Sequence, residues 1–589
     1  MMAGREEEKK SGSQEARKQG SKEAGTEGLR EMKLRQVSSV VALIFCVALA
    51  SCGSGPSGPE AGVQAISAER LMEDIRVLSS DKFEGRGPGS NGEKLTLEYL
   101  EGQFRQMGLQ PGNPDRTYFQ KVPLVGITPD PNMKLTFSGR SRTLRPRFRD
   151  DYVAWTKRVV KSASIDADMV FVGYGVQAPE FGWDDFKGVD VKGKVIVVLV
   201  NDPPLEDTKL FGGPAMTYYG RWTYKFEKAA ELGAAGCFII HQTDRAGYGW
   251  EVVRNSWSGE SFDLAAPEKN MHRSAIEGWM TGEEAQALFR LAGRDLEALK
   301  KAAATREFKP VPLGVRAKLT VRNTLRNVDS NNAIAKLEGS DPQLKNEYVL
   351  YCAHWDHFGI GPEVNGDKIY NGAKDNASGT AALIEMARAF KQLKTPPRRS
   401  LLFLAVTGEE QGLLGSRYYA EHPLYALAQT AAVINMDAPN VLGLTNDIVM
   451  IGRGSSTLDE LVDEIARGQG RTVKSDPEPE KGFFYRSDHF EFAKKGVPAF
   501  YPGSGVEYPG KPAGWGLEMR QQYTREDYHK PSDTIKDFWN LDGLVQDCQL
   551  FLQVGYRIAN DARTPEWKSG AEFKAARDAS LRQRPAANY

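Results

Sequence analysis

The chain has 589 residues, 40% hydrophobic and 26% charged, a globular composition too long for one ordinary domain. Its 77 Lys plus Arg balance 77 Asp plus Glu, so no net field draws it to a polyanion and no nucleic-acid partner is expected. The five cysteines, Cys46, Cys52, Cys237, Cys352 and Cys548, include no Cys-x-x-Cys pair, which argues against a disulfide scaffold and a thiol-rich zinc site.

Residues 1–31 are polar, charged and aperiodic, and read as a non-native or disordered extension ahead of a start at Met32. Lys33 and Arg35 then precede an apolar run at 37–50. That run is short of the roughly 20 residues a membrane-spanning helix needs and suits the core of a signal peptide. Leu49-Ala50-Ser51-Cys52 resembles a bacterial lipobox. The resemblance implies a signal peptide over 32–51, a lipid anchor on Cys52, and export to the cell envelope, at the outer membrane or facing the periplasm in a Gram-negative cell. Gly53-Ser54-Gly55-Pro56-Ser57-Gly58-Pro59 opens a flexible tether expected over 52–66.

Ser67 caps an expected amphipathic helix carrying Leu71, Ile75 and Leu78, and a second follows at 91–107, closed by Gly108. Beyond this first piece (67–150) the texture changes over 151–312. Met169-Val170-Phe171-Val172 and Val195-Ile196-Val197-Val198-Leu199 read as strands, 224–232 as a helix, and Gly236-Cys237-Phe238-Ile239-Ile240 as a strand. This stretch is similar to a protease-associated domain, a smaller β-rich insertion; it offers no paired base and nucleophile, and His241 and His272 stand alone. Over 313–560 strand and helix alternate: strands at 348–353, 400–406 and 431–435, helices at 377–393 and 413–420. Alternation of this kind predicts an α/β fold with a mixed, mostly parallel sheet covered by helices on both faces. Residues 561–589 read as a C-terminal tail, and 502–527 as rim loops that set specificity.

The chemistry concentrates in five segments, mostly at strand ends or in the loops after them, where open α/β sheets build their sites. They are His354-Trp355-Asp356, Lys374-Asp375-Asn376-Ala377-Ser378-Gly379, Gly408-Glu409-Glu410, Asn435-Met436-Asp437 and Tyr528-His529. A peptide-bond hydrolase needs a nucleophile at neutral pH, a Lewis acid on the carbonyl and a base to shuttle the proton. Adjacent carboxylates at a strand end point in different directions, so one of Glu409 and Glu410 can bind metal while the other faces water. A Glu-Glu pair is often only a solvated pair before a helix; here it follows a continuous apolar strand between Gly408 and Gly412, which favours a functional role.

Together these segments resemble the M28 family of zinc peptidases. The resemblance implies a zinc-exopeptidase-like sheet and two Zn2+ per chain. It assigns His354 and Asp437 to the first metal, Glu410 and His529 to the second, and Asp375 to a bridge between them. Asp356 orients the first histidine, Glu409 is the general base, and Asp488 and His489 fall in a signature near the pocket, on the substrate side or behind the ligands. His357 is not needed by the motif, and Lys374 is an unexpected cation beside the bridging aspartate, its amine expected to point away from the metals. The implied function is release of N-terminal residues from peptide substrates. Three alternatives stay open: a glutaminyl-cyclase-like aminoacyltransferase working with one metal, a receptor-like binding protein without catalysis, and a carboxypeptidase variant. The oligomeric state is not legible.

Overall fold

The computed structural model describes residues 58–204 and 210–582. The extension at 1–31, the signal peptide at 32–51 and Cys52 lie outside these residues. Three all-buried strands make the centre of the main sheet: Tyr348–His354, Ser400–Val406 and Thr430–Asn435. With Ala499–Gly503 as a fourth, they run parallel in the order Ser400–Val406, Tyr348–His354, Thr430–Asn435, Ala499–Gly503. Strand alternation sorts their side chains onto two faces. Val349, Tyr351, Ala353, Phe403 and Ile434 pack under the helices Ala68–Leu78, Ser378–Lys391 and Asp542–Asn560. Leu350, Cys352, Leu404 and Val433 pack with Tyr419 and Phe492 from the opposite side. The sheet is therefore covered on both faces, as its continuous apolar strands require. Antiparallel strands close its edge: Val311–Leu337, then Phe119–Pro129, then Ser261–Leu264.

A second sheet occupies much of the region between residues 130 and 322. Its order is Tyr152–Trp155, Ile276–Met280, Gly236–Ile240, Val195–Leu199, Ser162–Phe171, the first half of Val311–Leu337, and Thr136–Ser138. It has its own apolar clusters on either face. The 27-residue strand Val311–Leu337 thus belongs to both sheets. The strand continues past a bulge between Pro312 and Arg316, so the expected break at 312/313 falls inside one strand. The chain instead changes sheets near Asp130 and Arg322, where the Asp130 N–H donates to the Arg322 carbonyl at 2.8 Å. The expected break at 150/151 likewise moves, since Thr136–Ser138 already lies in the second sheet. Ser261–Leu264, expected within the insertion, pairs with Leu124–Ile127 of the main sheet.

Three further expectations are corrected. Residues 58–66 are not a free tether: Glu60–Ala65 is a helix. Its Gly62 packs so closely that a Cβ would stand 2.9 Å from the Ala389 carbonyl oxygen and 3.0 Å from Leu552 Cδ1. The segment after 560 is not a loose tail, because Trp567 is buried with its indole N–H on the Gly496 carbonyl at 2.8 Å. Arg577, in the helix Lys574–Arg582, donates to the carbonyls of Leu427 and Thr430. Nor are 502–527 all loop, since Trp515–Glu526 is a helix. These segments lack the long apolar period that marks a core element and are held by a few specific contacts.

Candidate metal centre

The strand register places the candidate ligands at one rim. His354 is the last residue of its strand and stands opposite Val406; Cys352 stands opposite Asn435. Glu409 and Glu410 follow Val406 by a short turn at Gly408, and Asp437 follows Asn435 by two residues. Asp375 sits in the irregular turn Ala373–Ala377 that opens the helix Ser378–Lys391, with a cis peptide bond to Asn376. His529 follows the helix Trp515–Glu526 in a left-handed conformation, φ 56°. Asn376 ties these loops together. Its Nδ2 donates to the Met436 carbonyl, and its Oδ1 accepts from the N–H groups of Gly379 and Ala438.

The side chains fall into two groups joined by one carboxylate. Asp375 Oδ1 is 3.3 Å from His354 Nε2, which is 3.4 Å from Asp437 Oδ1. Asp375 Oδ2 faces the other way, 3.5 Å from His529 Nε2, which is 3.1 Å from Glu410 Oε2. Two ligands each about 2.0–2.2 Å from a tetrahedral ion stand roughly 3.3 Å apart, so these spacings fit divalent cations. His354 Nε2 is buried without a hydrogen-bond partner, as an imidazole aimed at a metal would be. Imidazole and carboxylate donors suit zinc. Glu409 also stands within reach of His354 and Glu410.

Asp356 is placed differently from its expected role. His354 Nδ1 meets the backbone oxygen of Asp356 at 3.1 Å, while the Asp356 carboxylate is 3.8 Å away and accepts the Glu409 N–H at 3.1 Å. A peptide carbonyl therefore fixes the His354 tautomer, and the aspartate side chain fixes the Glu409 turn. His357, set aside by the motif, is buried with Nδ1 2.5 Å from Glu410 Oε1, holding the carboxylate oxygen that His529 does not face. Asp533 grips the bridging loop: it accepts the N–H groups of Lys374 and Asp375 and the Tyr523 hydroxyl. Lys374 lays its ammonium 4.2 Å from the Tyr523 ring centroid, and burial pushes its pKa down to about 8.

Sequence reasoning also missed Arg86 and Ser256. Arg86, 1% exposed, donates to the carbonyls of Leu78, Trp355, Asn371 and Gly372, joining the loops that carry His354 and Asp375. Its one visible signal is its place between Gly85 and Gly87. Ser256, on the helix Trp250–Trp257 of the inserted region, stands with Oγ 3.1 Å from His529 Nδ1. A serine 273 positions away gives no signal at all. Accepting a hydrogen bond from Nδ1–H, this oxygen would leave Nε2 free for metal. Ser256→Ala is expected to weaken metal binding about tenfold, read by titration against a metal buffer; unchanged affinity would reject the assignment.

Burial, with Glu410, Asp437 and Asp488 near, holds the Glu409 carboxyl well above the usual range, against the pull of His354. Burial would also raise Glu410, but His529 and His357 hold it down to about 2. Burial would lower His354; the Glu409, Asp375 and Asp437 carboxylates raise it instead. The two neighbouring carboxyls are thus shifted in opposite directions.

Asp488 and His489 lie behind the ligands. Asp488 is fully buried and accepts the Ser416 hydroxyl at 2.6 Å. Burial lifts its pKa to about 7, and His354 is the strongest charge opposing that rise. His489 packs on Tyr501, ring centroids 4.4 Å apart, and burial lowers its pKa to about 3. Two cavities flank the centre. One, of about 220 Å³, is lined by Glu409, Glu410 and His529 and by Arg221, Tyr248 and Arg486. The other, of about 150 Å³, is lined by Asp375, Glu409 and Asp437 and by Tyr501, Tyr523 and Arg520.

Residues 332–551 match the family model described as Peptidase family M28. The fold is similar to that of the aminopeptidase from Aneurinibacillus sp. strain AM-1, with TM-score 0.53 and 20% identity, covering 86% of this chain and 97% of that one. At that identity the likeness shows the fold alone. Leupeptin-inactivating enzyme 1 of Streptomyces exfoliatus is 26% identical over 260 residues, 44% of this chain and 54% of the relative. Leucine aminopeptidase 2 of Trichophyton rubrum is 27% identical over 262 residues, 42% of this chain and 48% of the relative. The chain thus spans about half the length of these curated relatives.

Proposed function

We propose, from the match of residues 332–551 to the M28 peptidases, that this chain is a zinc-dependent exopeptidase releasing N-terminal residues from peptides. The observation that carries the reading is the turn of Asp375: its two oxygens face two different histidines, each with a second carboxylate beside it. This arrangement supports two zinc ions per chain, held by His354, Asp437, Asp375, Glu410 and His529. Bound zinc would supply a Lewis acid and lower the pKa of water in the site. Glu409, with its raised pKa, takes a proton from the attacking water and returns it to the leaving nitrogen. His357 and Asp356 keep Glu410 and Glu409 facing different ways. The similar leucine aminopeptidase 2 of Trichophyton rubrum carries aminopeptidase in its name, which favours the N-terminal end of the substrate.

The test is metal analysis combined with release assays on N-terminally free and N-terminally blocked peptides. Two zinc per chain, with cleavage of free peptides that rises on zinc loading, is the expected result. No cleavage at saturating zinc sinks the reading. One zinc per chain with cyclisation of N-terminal glutamine would replace it by the aminoacyltransferase alternative.

We also read 32–51 as a lipoprotein signal and Cys52 as lipidated, placing the enzyme on the bacterial envelope with the region between 130 and 322 acting at the site entrance. The run at 37–50 and Leu49-Ala50-Ser51-Cys52 support the anchor. Ser256 and Arg221 support the entrance role. Fractionation of Cys52→Ser cells tests the anchor: protein remaining in the membrane fraction would contradict it.

A further inference from the structure

The larger cavity holds two guanidinium groups with no acid to answer them. Arg221, at the N-terminal end of the helix Trp222–Glu231, is 8% exposed, and its Nε has no hydrogen-bond partner. Among the described residues no carboxylate pairs with it. Its nearest company is aromatic, with Cζ 5.7 Å from the Trp222 ring. Arg486 lines the same cavity, with Cζ 5.3 Å from the ring centroids of both Tyr248 and Phe483. Its Nη2 donates to the Ala246 carbonyl, and its Nε is buried without a partner. Burial, followed by the like charge of Arg486, pulls the Arg221 pKa down to about 10.

The cavity's acids have other partners, which line the same cavity. Asp263 pairs with Arg417 at 2.6 Å, Glu277 with Arg273 at 2.7 Å and Glu491 with Lys494 at 2.7 Å. Glu227 accepts the Tyr218 hydroxyl at 2.7 Å. Glu409 and Glu410 belong to the metal centre. A buried charge without a partner is costly, and two such cations in one cavity repel. Buried polar groups left without a partner call for an explanation, and a ligand that pairs with them is one. The guanidinium fork matches a carboxylate, which can take two parallel N–H bonds.

We propose that Arg221 and Arg486 form a carboxylate receptor beside the metal centre, so that the enzyme prefers peptides presenting a carboxylate next to the bond it cleaves. The inference rests on the peptidase reading and deepens it. That carboxylate has two possible sources, the C-terminus of a dipeptide or the side chain of an acidic second residue.

The test uses the zinc-loaded full chain and two substrate pairs: Leu-Ala against Leu-Ala-amide, and Leu-Glu-amide against Leu-Gln-amide. At least one pair is expected to favour the carboxylate about tenfold or more in kcat/KM. The pair that does so names the source. In Arg221→Gln and in Arg486→Gln that ratio is expected to fall to within about twofold of one. A ratio near one for both pairs in the wild type, or a ratio that survives both substitutions, overturns the proposal. Thermal melting separates recognition from structure: losing an unpaired buried charge should leave Arg221→Gln at least as stable as the wild type. A lower melting temperature together with equal loss on all four peptides assigns Arg221 a structural role and overturns the proposal. If the wild type cleaves none of the four, the peptidase reading fails. The receptor is then decided by equilibrium binding of Leu-Ala and Leu-Ala-amide to Glu409→Gln protein, where equal affinity overturns it.

Discussion

Glu409→Gln is expected to lower kcat about 10²–10⁴-fold while zinc content and melting temperature stay close to those of the wild type. The amide keeps the shape of the carboxylate but cannot take a proton. The ligands proposed for the metals lie on other residues, and Glu409 is held by its backbone, through the Asp356 carboxylate. KM should move little, since the lost interaction acts at the proton-transfer step. A variant that retains more than about a tenth of the activity, or that loses its zinc, shows that Glu409 is not the base.

Arg86→Met is expected to cost about 3–5 kcal/mol of folding stability, read by urea denaturation. The methionine fills much of the volume but leaves the carbonyls of Leu78, Trp355, Asn371 and Gly372 without their donor. The damage should not stay local. Trp355 follows His354, and Gly372 opens the turn that presents Asp375, so metal affinity should fall with stability. The guanidinium also faces Asp356, Asp533, Asp375 and Glu410, whose charges oppose the lowering that burial imposes on its pKa. A variant as stable as the wild type would show that water replaces the side chain at little cost.

These two residues differ in how far the chain announces them. Glu409 comes three residues after the end of a strand whose every residue is apolar or small, so its position at the sheet's rim follows from the pattern. His354 and Asp437 also stand at strand ends, but their roles as ligands come from the family resemblance. The same holds for His529 and Asp375, which sit in irregular turns that no strand pattern marks. Arg86 and Ser256 lie in neighbouring elements whose approach depends on tertiary packing, which periodicity does not report. His357 was visible but undervalued, because a second imidazole three residues beyond a ligand looks redundant until the other oxygen of Glu410 is seen to need it. The α/β class is legible because alternating apolar runs and amphipathic helices admit few other architectures. The domain boundaries shifted because one continuous strand serves both sheets, and no residue in it marks the passage.

The passage at Asp130 and Arg322 makes the region between residues 130 and 322 excisable at one point. Both chains cross there side by side, with Pro129 opposite Asn323, so a two-residue turn could close the remaining strands into a hairpin. What such a minimal enzyme would lose is specific. The edge strand Phe119–Pro129 would be stripped of Ser261–Leu264 and left open to pairing with a second molecule. His529 would lose the hydroxyl on its Nδ1, and the cavity would lose Arg221. The module thus resembles a removable jaw: the hinge point is compact, but the bite depends on it.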